Sequence, residues 1–136
     1  NSIAIIMKHC AGNMISRWTD FLTTDGEKPN RHRDSEFIDE FKSRTEVMAY
    51  WERGWKVTLD SLSALTEDDL EKTVYIRKEP HTVVRAMQRS LAHIAYHCGQ
   101  IVYVAKELRG SDFKSLSIPR GESSKYLNEP PKSTAP

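Results

Sequence analysis

Residues 83–108 read VVRAMQRSLAHIAYHCGQIVYVAKEL, and this stretch decides the fold class. Val84, Met87, Leu91, Ile94, Cys98, Ile101, Ala105 and Leu108 recur in alternating steps of three and four, so they line one face of a helix. The helix is predicted to run from His81 or Thr82 to Leu108, with Pro80 near its start and Gly110 as its stop. His93 and His97 each sit one residue before a stripe position, about 100° round the helix. They belong to a column of Ser90, His93, His97, Gln100 and Val104 that borders the apolar stripe. Side chains four apart have Cβ atoms about 5–6 Å from each other, so both rings can reach one ion.

Working back along the chain, residues 2–22 repeat this layout. Ile3, Ile6, Cys10, Met14, Trp18 and Phe21 form the stripe, and Ser2 is a suitable N-cap. His9 precedes Cys10 as His97 precedes Cys98, in a column with Asn13, Ser16 and Asp20. TTDGEKPN (residues 23–30) ends this helix through Asp25-Gly26 and Pro29. A third helix is predicted from Asp34 or Ser35 to about Ala64. Phe37, Phe41, Met48, Trp51, Trp55, Leu59 and Leu62 face inward, and Glu36 is among the residues left to water. Gly54 within it is a mild weakness or a place of close backbone approach. LTEDDL (65–70) carries its own cap, Thr66, and TVYI (73–76) favours an extended connection or short strand.

These elements predict an all-α domain over residues 1–110 and a tail over 111–136. In the tail, FKSLSIPRG can dock, and YLNEPPKSTAP is too polar and Pro-rich to hold one conformation. Three helices seldom enclose a core alone. A fourth is expected upstream of Asn1, where the chain opens without Met, or from a partner subunit.

Composition removes several classes of function. With 20 basic and 19 acidic residues the formal net charge is +1, which gives no broad footprint for nucleic acid or an anionic membrane. No apolar run is long enough to cross a bilayer, and the opening has no signal-peptide layout. Two cysteines in 136 residues suit a reducing compartment, so a cytoplasmic location is expected.

If the faces bearing His9 and the His93/His97 pair meet, three imidazoles converge. Such a set on Zn²⁺ leaves a position open for water or substrate, and Ni²⁺ or Fe²⁺ would accept the same ligands. The plainer alternative is three ordinary half-buried histidines. Position 94 is Ile, so the stretch is not an HExxH zinc-protease helix. His32 falls in a solvated loop and His81 at a helix start. Cys10 and Cys98 turn inward as small core residues ahead of any role as nucleophile, ligand or disulfide. Trp18, Trp51 and Trp55 are read as packing. Arg17, Asp20, Arg31, Arg33 and Asp34 form either a solvated ionic cluster or a rim that grips an anionic or thiol-containing substrate.

Taken together, SIAIIMKHCAGNMISRWTDFLTTDGEK, RHRDSEF, EPHTVVRAMQRSLAHIAYHCGQIVYVAKEL and SLSIPRG resemble the DinB/YfiT-like helical-bundle proteins, with H…HxxxH followed by GQI at the centre of the likeness. The resemblance implies a four-helix bundle with a crossover connection, a homodimer, and a divalent metal on three histidines, here His9, His93 and His97. The family's first helix has no counterpart in this chain. Some relatives join low-molecular-weight thiols such as bacillithiol or mycothiol to electrophiles. The expected function is therefore a metal-dependent thiol S-transferase. Asn13 and Gln100 are expected to orient ligands, and Arg17, Arg31 and Arg33 to meet substrate carboxylates. A metal-dependent hydrolase and a non-enzymatic dimerisation module are the alternatives.

Overall fold

A computed structural model describes residues 1–128 and gives an all-α fold with one small two-stranded sheet. Two compact units divide the chain, Asn1–Val104 and Ala105–Pro136. The first contains helix α1 (Ile3–Trp18), helix α2 (Arg44–Ser63), strands β1 (Thr73–Ile76) and β2 (Glu79–Thr82), and most of helix α3 (Val83–Arg109). The second holds the end of α3, a 3-10 turn at Gly110–Asp112 and helix α4 (Ser123–Asn128). Tyr126 to Asn128 thus close a short helix, where no fixed conformation was expected. The rest of that predicted mobile segment, residues 129–136, lies outside the described residues.

Helix α1 starts where its cap predicts. The Ser2 hydroxyl accepts the Ile5 N–H at 3.2 Å. It ends at Trp18, short of the expected Leu22, because Asp20 takes a left-handed φ of 46°. The Asp20 carbonyl then accepts the N–H groups of Thr23 and Thr24 in a tight turn, and Leu22 is left exposed. Every predicted stripe position from Ile6 to Phe21 is buried, with Met14 and Trp18 at the centre of the core. Helix α2 lies close against it. A Cβ added at Gly54 would stand 2.9 Å from the Cα of Ala11, so glycine is what permits this approach. The Ser61 hydroxyl also donates to the Trp18 carbonyl at 2.8 Å.

The helix expected from Asp34 to Ala64 is broken. Arg33–Phe37 is a 3-10 turn, residues 38–43 are irregular, and α2 begins only at Arg44, capped by Ser43. Two causes account for the break, one distant in sequence and one local. The Lys8 ammonium donates to the Ser35 and Ile38 carbonyls at 2.8 and 2.9 Å, which takes acceptors a continuing helix would use. The Ser43 hydroxyl accepts the Glu46 N–H, which starts a new helix there.

The β1–β2 hairpin pairs Val74 with His81 and Ile76 with Glu79. Its turn residues, Arg77 and Lys78, have φ values of 56° and 65°. The Asp25 carboxylate holds this turn by accepting both N–H groups, at 2.9 and 2.7 Å. His81 is therefore a buried strand residue, and α3 starts two residues after it.

Helix α3 crosses the site end of the first unit, tied to α1 by a 3.3 Å hydrogen bond from the Trp18 indole to the Ser90 hydroxyl. Its stripe is only partly covered. Val84, Met87, Ile94, Ile101 and Ala105 are half-buried and Leu91 is 71% exposed, whereas the fully buried residues of the helix, Val83 and Ala86, each precede a stripe position by one. Leu91 and Ile94 border an open apolar cavity of about 490 Å³ whose other walls include Trp18, Trp55 and Leu62. Cys98, expected in the core, is exposed.

Candidate metal centre

The structure brings His9, His93 and His97 together. One ring nitrogen of each lies within 4.8 Å of the others, and they form a group that can hold a metal ion. His9 Nε2 and His93 Nε2 stand 3.2 Å apart. Two imidazole nitrogens bound at 2.0–2.1 Å to a tetrahedral ion would be separated by about 3.3 Å.

The ring tautomers follow from their other partners. His9 Nδ1 lies 2.8 Å from Glu36 Oε2 in a pair buried on both sides. Burial pushes the Glu36 carboxyl upward, but hydrogen bonds from His9 and Arg31 outweigh it and hold the group below its ordinary range. An ionised carboxylate only accepts, so Nδ1 carries a proton and Nε2 is the atom that His9 turns toward the cluster. His97 is held alike, with Nδ1 2.7 Å from Gln100 Oε1. The third ring, His93, has a buried Nδ1 with no hydrogen-bond partner among the described residues. Burial, together with His97 and His9, pushes the His93 pKa down to about 4. His97 is also lowered, chiefly by burial. Both rings are therefore neutral at physiological pH, the state in which imidazole binds metal.

Glu36, which periodicity left in solvent, is a central part of this arrangement. Arg31 donates to both of its oxygens, Nε to Oε1 and Nη2 to Oε2, each at 2.8 Å. A second carboxylate, Glu27, accepts from Arg31 Nη1 at 3.2 Å. Arg31 is thereby committed to protein carboxylates. Gly12 gives Glu36 its room, since a Cβ there would collide with the Glu36 carboxylate. The available signal was a glycine three residues after His9, inside an otherwise regular helix. The other face of the His9 ring stacks on Phe37, with centroids 4.9 Å apart.

The remaining singled-out residues separate clearly. Asn13 and Arg17 are buried, and with His9 and His93 they line a second cavity, of about 300 Å³. Arg33 also reaches the cavity, its guanidinium 5.0 Å from the centre of the Phe37 ring. Asp20, His32 and Asp34 are exposed. Cys10 is a buried free thiol whose pKa is pushed up to about 12, chiefly by burial, so it is a protonated core residue near neutral pH.

In comparison with known proteins, a family model described as a protein of unknown function (DUF1572) matches residues 1–122. No curated protein and no solved structure matches the chain. No helix among the described residues is long and apolar enough to cross a membrane.

Proposed function

We propose that this chain, which belongs to the DUF1572 family, is a DinB-type metal-dependent enzyme that transfers a low-molecular-weight thiol to an electrophilic small molecule. The observation that carries this reading is the convergence of three ring nitrogens within 4.8 Å, with two of the rings already oriented through Nδ1 by Glu36 and Gln100. The donor set suits Zn²⁺ or Ni²⁺, and three protein ligands leave a position free for a reactant.

A divalent cation bound there would stabilise the thiolate form of a thiol, which is the nucleophile. The protein's own residues supply the rest. Glu36 accepts the Nδ1–H of His9, which fixes that ring and increases its basicity, and Arg31 fixes Glu36 in turn. Gln100 does the same for His97. The cavity beside His9 and His93, about 300 Å³, has room for a small reactant. The reading includes a cytoplasmic location and a homodimer. What supports a second copy is the exposure of the large apolar side chains Leu91, Tyr96 and Tyr103 along α3.

The test mixes untagged, metal-loaded protein with bacillithiol, mycothiol or glutathione and a chlorobimane electrophile. A metal-dependent conjugate, lost in His93→Ala, is expected with at least one thiol. If no thiol gives a metal-dependent product, transferase activity is excluded for that electrophile class and metal-dependent hydrolysis becomes the better reading.

A further inference from the structure

The cavity beside the histidines is strongly cationic. Arg17, Arg31, Arg33, Arg77 and Arg89 all line it, and none of its lining residues is a carboxylate. Two of these arginines are neutralised nearby. Arg31 is bound to Glu36 and Glu27, and Arg77 Nε donates to Glu27 Oε2 at 3.1 Å.

Arg17 differs from them. It is 8% exposed, yet among the described residues it makes no ion pair and no side-chain hydrogen bond. Its Nη1 is packed against Gly26 without a hydrogen-bond partner, while the residue also lines the cavity. Burial pushes its pKa down to about 10, opposed by the charge of Glu27 and reinforced by Arg31, Arg89 and Arg77. A desolvated guanidinium that pairs directly with no carboxylate is costly, and such a group beside a cavity is a candidate for completion by a ligand. Arg89 likewise has no ion pair among the described residues and lines the same cavity.

The helices place these two groups regularly. On α1, His9, Asn13 and Arg17 follow one another at four-residue steps; on α3, Arg89, His93 and His97 do the same. Each helix therefore presents a histidine end and an arginine end to one cavity.

We propose that Arg17 and Arg89 form an anion subsite that binds a carboxylate or phosphate group of the small-molecule reactant and sets its reacting end beside the three histidines. A planar guanidinium pairs with either group through two parallel hydrogen bonds. The placement of the reacting end rests on the metal-centre reading; the anion subsite itself does not require metal.

The experiment therefore starts from the full chain freed of metal by chelation. It is titrated calorimetrically at low salt with inorganic phosphate and, separately, with succinate. Saturable binding of at least one anion is expected, and the preferred anion identifies the group. Arg17→Gln and Arg89→Gln should each weaken that binding about tenfold. Arg89→Lys should retain more of it than Arg89→Gln. Zinc affinity of Arg89→Gln, measured against a chromophoric chelator, should stay near that of the parent. Arg89 is exposed, so its variants keep the test valid even if Arg17→Gln fails to fold. Two results overturn the subsite: no saturable binding of either anion to the metal-free chain, or binding that Arg89→Gln leaves unchanged. Failure of the metal reading shows separately, as absence of zinc binding by the parent.

Discussion

Helices α1 and α3 have the same plan and different fates. Each carries an apolar stripe flanked by histidine at the position before a cysteine. The stripe of α1 is buried from Ile6 to Trp18, because α2 packs on one side and the Arg33–Phe37 turn on another. The α3 stripe is open along its middle, with Leu91 71% exposed and Cys98 exposed as well. Periodicity tells which residues share a face. It does not tell whether a neighbour arrives to cover that face, and that difference decides the energetics of each position.

The largest consequence lies in stability. Met14→Ala, at a fully buried site, should cost about 2–5 kcal/mol. Leu91→Ala should stay within about 0.5 kcal/mol in the isolated chain. Urea unfolding measures both. Equal costs would mean that the α3 face is covered in solution.

Metal affinity sharpens the comparison at the site. His9 on α1 is oriented by a buried carboxylate, His97 on α3 by a half-buried amide. Glu36→Gln should weaken zinc binding 10- to 100-fold and Gln100→Ala nearer tenfold, as expected for groups that orient ligands. Competition with a chromophoric chelator gives the order. The reverse order would show that His97, and not His9, is the better fixed ligand.

Acid titration isolates the same carboxylate. The folded pKa of Glu36 lies below its ordinary 4.5, so its contribution to stability is present above that value and fades as pH falls through the folded pKa. The stability difference between the metal-free parent and Glu36→Gln should therefore be largest near neutrality and shrink below about pH 4.5. A difference that does not change with pH would place the effect in packing instead of charge.

The smallest effect is chemical. In the folded chain, iodoacetamide should label Cys98 and spare Cys10, with Cys10 reacting only after denaturation. Mass mapping of the labelled peptides decides it, and labelling of Cys10 in the native protein would contradict the buried α1 face.

Much of this was legible from residue spacing. The Ser2 cap, the α1 stripe, the TVYI strand and the close approach at Gly54 are local signals, and the structure realises them. His9, His93 and His97 could be paired because both helices offset histidine from the stripe by one residue. What escaped depends on contacts distant in sequence. Lys8 breaks the predicted 34–64 helix from 27 residues away, and Glu36 reaches His9 across the same separation. The hairpin turn rests on Asp25, more than 50 residues earlier, which removes His81 from the helix it was expected to begin. Cys98 was placed in the core because a stripe was equated with burial. Arg77 and Arg89 enter the cavity only once the hairpin and α3 are set beside α1.

The central claim is that imidazoles from two helices share one ion. X-ray absorption at the zinc edge of the untagged, zinc-loaded full chain tests it most directly. The account predicts one zinc per chain with three imidazole nitrogens at about 2.0 Å, no sulfur, and a further light-atom ligand in the remaining position. Sub-stoichiometric zinc, a sulfur shell from cysteine, or fewer than three imidazoles would contradict it.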